Sequence, residues 1–500
     1  MKLQKWSASK LKRSLRHRKI VCFGAGERFY QIFNPFLDMH IDKQIDFIVD
    51  NDERKWGTFR ELNGRRIEIK SPDVLRSINN KDYIILITAM RYNEIFAQIQ
   101  NLIGNKKICC IKEITYRSQI AFWFESFAQA IPLRRAIVFQ GEGDTYENAK
   151  ALADYLKAND YLKRYRIYWL CNQPEIFIST SREKYIKRDA NLARVSCWHL
   201  FLYIFALNSS KYLIYENQII KKRREDQISI YLNHGSPPLK ATKGLISLPN
   251  NLNYAICPSV NCAEILSEQY GINKERLLYC GSPRTDVLFN DTIHAKLSAR
   301  MSSTKYKKKI LWVPTFRQHY RSGRVDTDMV FAYGLPVIKK ESDWGELIEY
   351  LKKNNILLII KPHLLQKLDL LRVPTNNNIT FIKQDELEEL GANVYDLMKL
   401  CDGMISDYST IAFDYMLLDR PIGYTIDDME DYKVGFSVKN PLEYMPGTKI
   451  KEVSALIEFI DDIVCGMDRY KEERARVNKF IHDEFIDGQN SCRLVGYLKL

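Results

Sequence analysis

Short apolar runs alternate with amphipathic stretches along most of this 500-residue chain, and they sort into three blocks. An apolar run of about four to eight residues bounded by turn residues reads as a buried strand. Apolar residues spaced three and four apart read as a helix. The first block opens with KIVCFGAGERFYQIFNPF, a strand, a glycine turn and a helix. It continues with IDFIVDND, YIILIT (83–88) and KKICCI (106–111), and predicts a small doubly wound α/β unit over residues 19–118. After the aromatic segment AFWFESFAQAI, a second block spans 130–300. Its strands are RRAIVFQ, RIYWLC, KYLIYEN, ISIYLNHG and NYAICPS, and RLLYCGSPRTDVL closes it. The third block, 305–485, has strands KKILWVPT, ILLIIKPH, ITFIK, GMIS and PIGYTI between helices such as DWGELIEYLKKN and TIAFDYMLL. The expectation is an α/β protein. Two Rossmann-type domains face a cleft, a smaller Rossmann-like domain precedes them, and ligands sit at the carboxyl ends of the strands.

Charge sharpens this picture. Seventy-five Lys and Arg against 61 Asp and Glu leave a net charge of +14, which asks for an anionic partner. Lys2, Lys5, Lys10, Lys12, Arg13, Arg16 and Arg18 crowd residues 1–18 without an acid. Trp6, Leu11 and Leu15 form a narrow apolar stripe among them, so this arm reads either as lying on anionic lipid headgroups or as a solvated terminus. The basic start lacks the apolar segment of a signal peptide, and no run approaches the ~18 residues of a membrane span. The eleven cysteines are scattered without a C-x-x-C pair and away from the histidines, as expected of reduced thiols in a cytoplasmic protein with no zinc site. The basic residues form no aromatic-interleaved ribbon, which argues against a nucleic-acid partner.

The chemistry-bearing residues sit where strands end. His234, followed by Gly235 and two prolines after ISIYL, is held in a rigid turn and is either a general base or a turn histidine bonded to backbone. In GSPRTD, Arg284 serves either a phosphate or its neighbour Asp286. Arg317 ends the strand KKILWVPT as a phosphate-holding or merely exposed cation. Lys361 and His363 flank the proline that stops ILLII. Asp407, Ser409 and Thr410 link GMIS to the next helix, where free N–H groups and hydroxyls suit a phosphate and equally suit a plain cap. In the first block, Gly24 and Gly26 begin a dinucleotide fingerprint and Asp50 ends the second strand where a ribose would bind. Phe29 replaces the third glycine, which leaves either a bound nucleotide or a docking module.

The ordered set HGSPPLK, GSPRTDVL, ILWVPTFR, IIKPH and SDYSTIAFDYMLLDRPI, with Pro446-Gly447, resembles the CDP-glycerol glycerophosphotransferase family over about residues 130–480. RRAIVFQGEGDTYENAKALADYLK resembles the family's opening strand, loop and helix. The resemblance implies a GT-B pair, with the C-terminal half binding a CDP-alditol and the N-terminal half the acceptor. It implies His234 as general base and His363 as a holder of the donor diphosphate. Asp407, Ser409 and Thr410 fall on its donor segment, and Arg284 and Arg317 on its two arginine positions. Ser236 stands for the usual Thr, Thr410 for Ser and Asn233 for Trp. The expected activity is transfer of an alditol-phosphate, foremost glycerol-phosphate, from CDP-glycerol or a related CDP-alditol to a lipid-linked polyol-phosphate or glycan, releasing CMP. It needs no cofactor and no obligatory metal, and works at the inner face of the cell membrane in teichoic-acid or capsule synthesis. The alternative is a GT-B glycosyltransferase using a nucleotide sugar.

Overall fold

The computed structural model describes residues 3–33, 40–79, 81–89, 91–104, 108–115, 119–141, 147–188, 197–235, 239–244, 246–290, 295–302, 306–315, 317, 326–327, 329, 331–363, 366 and 368–500. They form two compact units, 1–132 with 186–209, and 133–185 with 210–500.

The first unit is built on a seven-stranded sheet in the order Leu3–Ser7, Cys109–Thr115, Tyr83–Ile87, Lys19–Phe23, Ile45–Val49, Arg65–Lys70, Phe59–Leu62. All its pairings are parallel except the closing hairpin. The expected basic arm is part of this domain. Leu3–Ser7 is its edge strand and Ala8–Ser14 a helix. Trp6, Leu11 and Leu15 are buried in the core against Ile20 and Ile111. The stripe is spent on folding, because apolar area already removed from water has nothing to gain from lipid. The helix Gln119–Ala130 pairs with Cys197–Ser209, which leaves the second block to join this unit through Phe124, Ala128, Leu200 and Ile204.

The second unit holds two sheets. One is ordered Glu183–Lys187, Arg166–Cys171, Arg134–Gln140, Ser210–Tyr215, Ile228–Tyr231, Tyr254–Cys257, Leu277–Tyr279. The other is ordered Ile379–Phe381, Ile356–Ile360, Lys308–Trp312, Gly403–Ser406, Ile422–Thr425, Thr448–Ile450, with every pair parallel. Strands covered on both faces read as unbroken apolar runs, and Ile356–Ile360 is buried at all five positions. In each sheet the first strand has neighbours on both sides reached in opposite directions, the switch that opens a crevice at the carboxyl ends.

The chain ends by crossing back. Leu494, Val495 and Leu498 of the last helix, Asn490–Leu498, pack in the core of the first of these sheets. The Asn490 amide donates to the Ser282 carbonyl and the Thr285 hydroxyl, and Ser259 donates to the Phe480 carbonyl at 2.8 Å. Asp286 accepts from the Asn490 and Ser491 backbone N–H groups, so it anchors this helix start and does not face a ligand.

Leu11→Ala is expected to destabilise the first unit by ~2–5 kcal/mol, read as an earlier unfolding midpoint. An arm free in solvent would leave that midpoint in place.

Candidate active site

Two strand ends from different sheets meet in the second unit. Asn233 (φ 56°) and Gly235 (φ 84°) turn the chain sharply around His234. Asn tolerates the left-handed region better than other side-chain-bearing residues, and its carboxamide oxygen accepts from the buried Tyr270 hydroxyl at 2.7 Å. The Asn148 amide binds the Leu232 and Asn233 carbonyls at 3.2 and 3.1 Å and fixes the strand end. Gly235 is needed for close approach as well: a Cβ there would overlap the Thr410 hydroxyl of the opposing sheet. Ser236 lies outside the described residues.

Opposite, Lys361 and His363 follow Ile356–Ile360. Lys361 is 7% exposed, and among the described residues its amine makes no hydrogen bond or ion pair. Burial lowers its pKa to about 8, against the opposing pull of Glu147 and Glu388. Burial, then the charges of Lys240, His234 and Lys361, takes His363 down to about 3. His363 is therefore a neutral imidazole at physiological pH, a hydrogen-bonding group. The Gly235–Thr410 approach brings the His234 turn against the sheet that ends in Lys361 and His363, and a crevice lies between them. Ser409 and Thr410 sit at its floor, where their N–H groups have no partner among the described residues and the Ser409 hydroxyl reaches Ile411 N–H at 3.5 Å. The helix they begin, Ile411–Met416, is only six residues, so the local N–H groups matter more than a macrodipole.

Neither arginine is a free phosphate ligand. Arg317 is buried between two carboxylates: Nη1 is 2.8 Å from Asp407, and Nε and Nη2 reach Asp428 at 2.6 and 3.1 Å. Asp407 also accepts from Thr315 N–H at 3.0 Å. A guanidinium with its fork on protein carboxylates has little left for a ligand, so Arg317 and Asp407 shape the loops that carry Thr315 and Ser409. Arg284, 2% exposed, likewise binds Asp414 at 2.9 Å and Glu147 at 3.0 Å. The missed partners Glu147, Asp414 and Asp428 had one faint signal: Asp414 interrupts the apolar helix IAFDYM, and a buried acid needs a partner.

In the first unit, Asp50 turns inward. It accepts from Ala25 N–H at 2.7 Å and pairs with Lys55 at 3.2 Å, so the acid takes up a glycine-loop amide that a pyrophosphate would use. A Cβ on Gly24 would meet Ala89 at 2.9 Å, which makes that glycine a packing requirement, while Gly26 faces open space. Among the described residues no group of three His, Cys, Asp or Glu is placed to hold a metal, and no helix is long and apolar enough to cross a membrane.

The sequence profile of the CDP-Glycerol:Poly(glycerophosphate) glycerophosphotransferase family matches residues 126–499. The chain belongs to this family. It is 28% identical to the teichoic acid ribitol-phosphate polymerase TarL of Staphylococcus aureus over 46% of this chain and 38% of that protein. It is 26% identical to the teichoic acid poly(glycerol phosphate) polymerase of Bacillus subtilis over 67% of this chain and 45% of that one. It is 24% identical to the Bacillus subtilis teichoic acid glycerol-phosphate primase over 77% of this chain and 96% of that one. The chain thus spans about two-fifths of the length of the ribitol-phosphate polymerases it matches. The solved wall teichoic acid polymerase TagF superposes with a TM-score of 0.59 at 19% identity, over 82% of this chain and 97% of that one. The glycerophosphotransferase fold here is α/β, with a GT-B-like pair of Rossmann-type sheets.

Arg317→Met is expected to cost ~3–5 kcal/mol of stability by leaving Asp407 and Asp428 buried without a counter-charge, measured by denaturant unfolding. Burial alone would raise the Asp407 pKa, but Arg317 and Lys240 outweigh it and hold it below the usual range. Its stabilising contribution is present above the ordinary carboxylate pKa and lost as pH falls through the lowered value. An arginine serving only a ligand would lower activity and leave the unfolding midpoint unmoved.

Proposed function

We propose that this chain transfers an alditol-phosphate from a CDP-alditol, foremost CDP-glycerol, to the hydroxyl end of a polyol-phosphate or glycan acceptor. The observation that carries this reading is the close approach of the His234 turn, from one sheet, to the Ser409–Thr410 turn of the sheet that also ends in Lys361 and His363. In the proposed step His234 takes the acceptor's hydroxyl proton. The oxygen forms a bond to the β-phosphorus, the bond from that phosphorus to the bridging oxygen breaks, and CMP leaves. Lys361, the Ser409 and Thr410 donors and the neutral His363 receive the charge on the diphosphate. Fixed donors in a dry crevice supply most of the stabilisation that phosphoryl transfer needs. CDP-ribitol is the other donor to test, because both glycerol- and ribitol-phosphate enzymes are among the relatives.

Two features support work at an anionic membrane surface. Lys12, Arg13 and Arg16 remain exposed although their apolar stripe is buried. Trp123, Phe127 and Trp198 are 70%, 55% and 66% exposed on the paired helices of the first unit. Aromatic rings with one face open suit the headgroup region. Trp123→Ala with Trp198→Ala is expected to reduce co-flotation with anionic vesicles severalfold, and unchanged flotation would count against this surface.

Incubation with CDP-glycerol and a glycerol-phosphate primer is expected to release CMP and lengthen the primer. His234→Ala should lower CMP release by ~10²–10⁴-fold with unfolding unchanged. Release of nucleotide only from a UDP-sugar would favour a glycosyltransferase instead.

A further inference from the structure

The charges behind His234 form a graded series. Glu147, first residue of the helix Glu147–Ala158, lies 3.5 Å from His234 Nδ1 through Oε2. The same oxygen accepts from Arg284 at 3.0 Å. Arg284 in turn binds Asp414 at 2.9 Å, and Asp414 accepts from the Tyr395 hydroxyl at 2.8 Å. The helix start is clamped. Ala149 N–H donates to buried Glu216 at 2.5 Å, and Asn148, which holds the His234 strand end, accepts from Arg284 N–H at 3.0 Å. Glu147 itself stands in the left-handed region at φ 55°, uncommon for a residue with a side chain and a mark of a position set by its surroundings.

We propose that Glu147 is the positioning residue of the His234 base. It keeps the imidazole proton on Nδ1, leaves Nε2 facing the acceptor hydroxyl, and stabilises the imidazolium formed when that proton arrives. This rests on the reading of His234 as the base. Two carboxylates, Glu147 and Asp414, share one guanidinium, and the Lys361 charge also acts on Glu147. Burial alone would raise the Glu147 pKa, but the charges of His234 and Arg284 bring it to about 2, and it stays ionised in the working range. A length of 3.5 Å is loose for a hydrogen bond and shortens when the ring becomes charged. The charges of Lys240, from the loop after the His234 turn, and of Lys361, from the other sheet, act on the same crevice through His363. Glu147 is the acid placed against them. The conserved logic of a carboxylate behind a base is general to proton-transfer sites.

The test uses the full chain with CDP-glycerol and a glycerol-phosphate primer between roughly pH 5 and 9. Glu147→Gln is expected to lower kcat by ~10²-fold or more while the KM for CDP-glycerol changes less than about twofold. The acid limb of kcat/KM should move to lower pH, because removing the carboxylate makes His234 less basic, and Glu147→Asp should recover part of kcat. An unchanged kcat, or a lower kcat with the acid limb in place, would overturn the proposal. Imidazole ¹⁵N NMR of the unsubstituted protein gives a reading that does not depend on how Glu147→Gln folds. The signal missing in His234→Ala should be an Nδ1–H tautomer, and an Nε2–H tautomer would sink the idea. If His234→Ala still releases CMP, the assignment of the base fails instead, which separates the two results.

Discussion

One buried guanidinium ties the site together. Arg284 comes from the turn after the last strand of one sheet, and Asp414 from the short helix after a central strand of the other. Their ion pair is almost completely removed from water, where an unpaired charge would cost several kcal/mol. The pair therefore holds only while both halves of the second unit keep their present register. Around it hang the Asn148 clamp on the His234 strand end, the Glu147 carboxylate and the Tyr395 hydroxyl. The Gly235–Thr410 approach needs the same register, since it leaves no room for a Cβ.

The crevice divides its charged groups into two kinds. Arg284 and Arg317 are each held between two carboxylates and set geometry. Lys361 carries charge without a carboxylate partner among the described residues, and burial, with Lys240 and Lys361 nearby, keeps His363 neutral. This separation suits the proposed reaction, whose donor, acceptor and product are all anionic. Too many free cations would bind CMP and polymer tightly and slow their release, while too few would leave the leaving group unstabilised. The aromatic packing of Tyr408, Tyr432 and Phe436 around Arg317 has the same purpose, since a buried ion pair keeps its geometry only when its surroundings leave no slack.

Much of this was legible in the linear chain. The runs KKILW, ILLII and GMIS became neighbouring parallel strands because a strand covered on both faces has to be apolar throughout. His234, His363 and Ser409 could be placed at strand ends because glycine and proline mark where a strand stops. The first eighteen residues were less transparent. A stripe of Trp6, Leu11 and Leu15 beside cations looks the same whether it faces lipid or a protein core, since both are apolar, and only the sheet edge beside Cys109–Thr115 decided for the core.

The sequence alone thus determined the order of strands and helices, the overall charge and the residue types at each strand end, because these depend on local periodicity and turn chemistry. What Arg317, Arg284 and Asp50 do was decided by the tertiary structure. An arginine or a carboxylate is indifferent, along the chain, between a ligand and a buried counter-ion. Asp428 lies 111 residues from Arg317, and Asp414 lies 130 from Arg284. Coulomb attraction in a dry interior acts through space, so only folding could show which charges were already taken and which were left for a substrate.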